Sequence, residues 1–158
     1  ADVRCVQRGE RDTQYVAIAC FVVLGPYLSG VDLGRMEELV VTKSGWDSVS
    51  AISGVVRKLV RRQPALKAEM LRWSLEDNLW LRRVAILHQL LQKEQMDRPL
   101  LEEILVNNLG SSEFFINKAI GWSLRDYAKT NPQWVQDFLL RHQKSLAPLT
   151  VREASKYL

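Results

Sequence analysis

Cysteine and histidine are scarce in this 158-residue chain, at two each, with five prolines and eight glycines. Cys5 and Cys20 stand apart, in no metal-ligand spacing and no disulfide framework. His88 and His142 supply no neighbouring ligand, so neither a metal nor a cofactor is expected. His88, in an apolar helical run, reads as a buried, hydrogen-bonded histidine, and His142 as a cation near a helix end. No apolar run is long enough to span a bilayer, and residues 16–24 are too short, and lack the cleavage site, for a secretory signal. A reducing, cytoplasmic compartment without membrane contact is the default. So few prolines and glycines leave no linker or low-complexity stretch. Residues 1–158 therefore read as one domain, with 1–11 irregular and a monomer the expected state.

What the chain has is an ordinary globular composition, 47% hydrophobic and 25% charged, with a formal net charge of +4. That balance alone says little about partners. Its distribution says more. Residues 1–75 carry 11 basic and 8 acidic side chains, residues 76–110 carry 4 and 6, and residues 111–158 carry 7 and 4. Positive potential is thus expected on part of the surface only.

Alternating strands are missing too; start and stop signals instead divide the chain into eight or nine helices. The apolar run ending at the Gly25-Pro26 stop reads as a buried helix rather than a buried strand. Asp32 is a candidate cap for a helix to about Val41, and Ser44 with Asp47 has the form of a capping box. Asp77 or Asn78 starts a helix to Gln92. Asp97 starts one ending before Gly110, Ser111 or Ser112 starts the next, and Asn131-Pro132 starts another. Thr150 and Glu153 form a second candidate capping box. Short connections between such helices favour an all-α architecture. Two remain open on periodicity alone: an α-solenoid of stacked antiparallel helix pairs, and a compact bundle.

The most informative stretch is FFINKAIGWSLRDYAK, residues 114–129. Lys118, Trp122, Arg125 and Lys129 recur at steps of four, three and four, which lines them along one side of a helix. Phe115, Ala119, Ile120, Ser123, Leu124 and Tyr127 occupy the other side, suited to a core. Upstream, Arg82 and Arg83 form a second basic pair. An indole among cations fits a nucleic-acid backbone; a solvated basic face on a buried helix is the plain alternative. Trp73, Trp80 and Trp134 read as structural, Tyr15 as core or as a hydroxyl reaching a partner. Arg57, Lys58, Arg61 and Arg62 read equally as a solvated helix end or as peripheral phosphate contacts.

Several blocks carry a resemblance: QYVAI (14–18), TKSGWDSV (42–49), NLWLRRVAILHQL (78–90), NLGSSEFFINKAIGWSLRDYAKTNPQWV (108–135) and PLTVREASKYL (148–158). They resemble the DNA alkylation repair family of HEAT-like-repeat DNA glycosylases, over most of the chain from about residue 12 onward. The resemblance implies an all-α, HEAT-like α-solenoid; the family's additional N-terminal helices are either lacking here or belong to a segment preceding this sequence. The implied partner is duplex DNA bearing alkylated bases, and the implied activity is hydrolysis of the N-glycosidic bond of cationic purines such as 3-methyladenine and 7-methylguanine. Family members do this without drawing the lesion into a deep pocket, unlike the base-flipping enzymes. Trp122 resembles the tryptophan that packs on the lesion's deoxyribose, Trp46 a second aromatic wall, and Arg83 and Arg125 the residues that engage phosphates. Lys118, Lys129 and Arg82 extend that basic set.

Two positions depart from the family pattern of two tryptophans, an Asp, and a catalytic Asp three positions further on. Gly45 replaces the first tryptophan and Ser50 the catalytic Asp, while Trp46 and Asp47 are retained. A hydroxyl brings no negative charge to a developing oxocarbenium sugar. Losing such a contact costs on the order of 2–4 kcal/mol, or roughly 30- to 1000-fold in rate. Asp47, one turn from Ser50, is a substitute carboxylate or simply the closing residue of its capping box. A glycosylase and a catalytically weak or inactive DNA-binding module therefore both remain open, with a helical protein scaffold as a third reading.

Overall fold

The computed structural model describes residues 11–43 and 45–158. Within them the fold is all-α. Its helices are α1 (Arg11–Leu24), α2 (Gly30–Lys43), α3 (Trp46–Arg62), α4 (Lys67–Ser74), α5 (Leu79–Leu87), α6 (Arg98–Asn108), α7 (Phe114–Ala128), α8 (Pro132–Arg141) and α9 (Pro148–Ala154), with short 3-10 turns between and after them. The irregular reading of residues 1–11 falls almost wholly outside the described residues.

Capping side chains fix where several helices begin. Asn78 Oδ1 accepts from the Trp80 and Leu81 amides at 2.9 and 3.2 Å, Asp97 Oδ1 from Leu100 at 3.1 Å, and Asn131 Oδ1 from Trp134 at 3.1 Å. Each bond satisfies an amide that the helix leaves without a partner, worth about 0.5–2 kcal/mol. Other expected caps differ. Asp32 lies inside the first turn of α2 and reaches back to the Ser29 amide at 2.9 Å. Gly45 occupies the α3 cap position without a side-chain bond, and Ser44 lies outside the described residues. At α7 the cap position belongs to Glu113, whose amide donates to Ser111 Oγ at 3.1 Å. Helix α5 ends at Leu87 rather than Gln92; Leu91 and Lys93, at φ 65° and 52°, turn the chain there.

The helices stack in two layers. α1 packs on α3, α3 on α5, α5 on α7 and α7 on α9, so the odd-numbered helices form one continuous layer. α4 packs on α5 and α6, α2 on α3 and α5, and α8 on α7. This succession of helix on next-but-one helix is the α-solenoid arrangement, in which each pair buries the face its neighbour cannot cover. Trp73, Phe138, Met36, Ile52, Leu59, Ile104 and Ile116 are among the side chains sealed between the layers. Trp134 packs edge-on to Tyr127 and stacks on Phe138, at 5.4 and 5.6 Å between ring centroids, in the structural role its sequence suggests.

Charged side chains stitch the layers at their margins. Arg72 on α4 binds Glu37 on α2 at 2.7 Å, together with Glu69 and Glu76. Arg62 donates to the carbonyls of Gly25 and Leu28 at 2.7 and 2.9 Å, and Arg57 to those of His88 and Leu87 at 3.1 and 3.5 Å. Arg61 bonds Gln95. The basic end of α3 is thus tied into the fold. A cavity of about 190 Å³ lies beside it, lined by Arg57, Arg61, Lys67, His88 and Asp97 among others. Lys67 bridges Asp97 at 2.7 Å across it.

Candidate nucleic-acid interface

Helix α7 divides as its spacing predicts. Ala119, Ile120, Ser123, Leu124 and Tyr127 are buried and Phe115 half-buried, whereas Lys118, Trp122 and Arg125 are half-buried and Lys129 is exposed. The strip is not bare, because α9 lies along it. Glu153 on α9 sits between the cations, with Oε1 3.2 Å from Lys118 Nζ and Oε2 3.2 Å from Arg125 Nη1. Lys156 joins from the turn after α9, also at 3.2 Å. These cations, Lys118 and Lys156 foremost, hold the Glu153 carboxyl below its ordinary pKa. Lys129 Nζ stands 4.8 Å from the centroid of the Tyr157 ring, a cation–π contact.

Glycine makes this approach possible. A Cβ at Gly121 would lie 2.7 Å from Glu153 Cβ and 3.3 Å from Thr150 Cα. Thr150 Oγ1 donates to the Asn117 carbonyl at 2.9 Å. The expected capping box is therefore absent: Ala147 caps α9 without a side-chain bond, and Thr150 and Glu153 both turn to α7. Sequence reasoning missed Glu153 as part of the strip. The signal was Gly121 itself, a glycine inside a long helix, which costs about 1 kcal/mol relative to Ala unless another backbone needs the space.

Helix α5, between α3 and α7 in the odd layer, brings the arginine pair. The two members part company. Arg83 is 3% exposed, donates from Nη1 to the Phe115 carbonyl, and stands 5.6 Å from the Phe115 ring. Burial pulls its pKa down to about 10. Arg83 is thus a buried tie between α5 and α7 in the unbound protein, and its expected place on a phosphate-facing surface is corrected. What turns it inward is α7: the Phe115 carbonyl accepts its guanidinium and the Phe115 ring lies against it. Arg82 is the partly exposed member.

Helix α3, between α1 and α5 in the same layer, carries the Trp46 group. Trp46, the first residue of α3, is 59% exposed. Asp47 accepts the Tyr15 hydroxyl of α1 and, through Oδ1, the Ser48 amide at 2.9 Å. Tyr15 thus reaches a partner, the second of its two readings. Ser50 is half-buried and donates its hydroxyl to the Trp46 carbonyl one turn back at 2.9 Å. The site residues thus form two groups, Trp46–Asp47–Ser50 on α3 and Lys118–Trp122–Arg125–Lys129 on α7, with α5 between them.

The histidines stand apart from both. His88 is 1% exposed, bonds the Ala85 carbonyl through Nδ1, and has its pKa lowered by burial to about 4. His142 rests against Phe138, with ring centroids 4.5 Å apart. Among the described residues no group of three or more His, Cys, Asp or Glu side chains is placed to hold a metal ion. Among those residues, too, no helix is long and apolar enough to cross a membrane.

A solved structure of similar fold is the predicted DNA alkylation repair enzyme from Enterococcus faecalis, with a TM-score of 0.85 and 38% sequence identity over 94% of this chain and 70% of that one. No curated protein sequence matches the chain. The DNA alkylation repair enzyme family profile matches residues 3–158. The chain belongs to the DNA alkylation repair enzyme family, and DNA repair is the role that membership supports.

Proposed function

We propose that the odd-helix layer binds the backbone of duplex DNA carrying cationic alkylated purines, and that the protein hydrolyses their N-glycosidic bond at a rate limited by Ser50. The observation that carries the reading is Trp122 held half-exposed on α7 between Lys118 and Arg125. Flexible ammonium and guanidinium groups suit phosphates, and an indole face among them suits the carbon-rich, partly cationic sugar. Lys129 and Arg82 are the further phosphate contacts in this reading.

The chemistry asks little of the protein. A positively charged purine is already a good leaving group, so help consists of stabilising the sugar cation and admitting water. Trp46 and Trp122 supply π faces, and Asp47 supplies negative charge one helical turn from Ser50. That charge is shared with the Tyr15 hydroxyl and the Ser48 amide, which weakens it as a substitute for a free carboxylate. A second reading, a repair-family module that binds DNA without hydrolysis, is favoured by one observation: Ser50 carries no negative charge and its one proton is already donated to the Trp46 carbonyl.

Release of 7-methylguanine from methylated duplex by the wild type and by Ser50→Asp decides between them. Slow release by the wild type, rising roughly 30- to 1000-fold in Ser50→Asp, is expected. Salt-sensitive duplex binding with no release by the wild type selects the second reading. No release and no binding overturns both.

A further inference from the structure

We propose that Glu153 is the positioning residue of the α7 strip: a buried carboxylate set beneath Lys118, Arg125 and Lys156 that holds the two cations flanking Trp122 and withholds one positive charge from the DNA backbone. The inference rests on the DNA-binding reading above and adds a residue to it.

Depth comes first. The Glu153 side chain is 8% exposed, whereas those of Lys118, Arg125 and Lys156 are 40%, 30% and 47% exposed. The carboxylate therefore lies deeper than its cations, each of which stays partly open to solvent. Lys118 and Arg125 are seven residues apart on α7, about 10 Å along the axis at 1.5 Å per residue, with Trp122 between them. One carboxylate draws both side chains inward over that span, one to each oxygen.

The anchor is rigid at the level of the backbone. Gly121 lets α9 approach until Glu153 Cβ occupies the space where a Cβ of residue 121 would stand, and the Thr150 hydroxyl fixes α9 to the Asn117 carbonyl. The position of the carboxylate is thus set before any partner arrives. Long, rotamer-rich side chains are costly to order on binding, and cations already tethered to a fixed anion carry less of that cost. Lys118 and Lys156 in turn favour the ionised form of Glu153. The consequence is a compromise: three cations present a net charge of two, in a fixed arrangement. Affinity for undamaged duplex is held down while the geometry around Trp122 is kept.

The dependence of duplex affinity on salt tests this, because its slope counts the phosphates neutralised, at about 0.9 per phosphate. Wild type, Glu153→Gln and Glu153→Asp are compared on undamaged duplex, each after a thermal melt shows it folded at the assay temperature. Glu153→Gln is expected to steepen the slope by about one and to tighten binding at low salt, and Glu153→Asp, which keeps the charge, to retain the wild-type slope. A Glu153 that only supports the fold would lower the melting temperature in both variants and leave the slope alone, which overturns the proposal. Should Glu153→Gln not fold, Glu153→Met, with matching length against Gly121, gives the same reading. Wild-type protein that binds no duplex at any salt refutes the DNA-binding reading instead, so the two failures are distinct.

Discussion

Replacing Gly121 by alanine tests the contact that fixes α9 to the basic strip. The added methyl carbon would lie 2.7 Å from Glu153 Cβ and 3.3 Å from both the Cα and the carbonyl oxygen of Thr150. Carbon–carbon contacts are comfortable only near 3.5–4.0 Å, and none of these neighbours is the free end of a flexible side chain. Helix α9 must therefore retreat by about 1 Å or α7 must bend. Overpacking of this kind costs about 1–3 kcal/mol, against a gain of about 0.5–1 kcal/mol from replacing a helical glycine. A net loss of roughly 0.5–2 kcal/mol results, which at about 2–4 °C per kcal/mol lowers the melting temperature by roughly 1–8 °C. Gly34, exposed inside α2 with nothing within 4 Å of its would-be Cβ, supplies the control. Gly34→Ala is expected to raise the melting temperature by the propensity gain alone. Calorimetry of both variants reads the difference in sign. If Gly121→Ala stabilises as much as Gly34→Ala, α9 does not press on α7, and the fixed position of Glu153 is lost with it.

Two further outcomes follow from burial and exposure. Between pH 6.5 and about 4 the unfolded chain takes up a proton at His88 that the folded protein refuses, so stability falls with acidity across that window, by roughly 3 kcal/mol in all; His88→Gln should flatten urea midpoints there. Asp97, Glu102 and Glu153, lowered by their cationic partners, add their own loss only below the ordinary carboxylate range. The Ser50→Asp variant used to test hydrolysis should melt within about 0.5 kcal/mol of wild type, since Ser50 is half-buried and bonds only within its own helix; a larger fall would show a structural role for the hydroxyl.

What was legible in the sequence was local. Asn78, Asp97 and Asn131 cap helices because a short polar side chain before an apolar run has one nearby job. The two faces of α7 followed from a period of 3.6, and family membership from long blocks such as residues 108–135. Pairings across the fold were not legible. Thr150 and Glu153 fit a capping box by spacing, yet their partners are Asn117, Lys118 and Arg125, some 30 residues upstream. Arg82 and Arg83 look equivalent as neighbours and differ in what lies against them: Arg83 meets the Phe115 carbonyl of α7, while Arg82 stays partly exposed. Arg57 and Arg62 ended on backbone carbonyls of other turns, positions that only the stacking of helices defines.

Indole NMR during titration with a duplex oligonucleotide examines the proposed surface residue by residue. Trp46 is 59% exposed, Trp122 half-buried on the strip, and Trp73 fully buried, so the last serves as an internal control. The Trp46 and Trp122 indole signals are expected to shift and broaden, and to recover as salt rises, while Trp73 stays in place. Duplex binding that leaves both Trp46 and Trp122 unmoved would contradict the surface described here and place the DNA elsewhere on the protein.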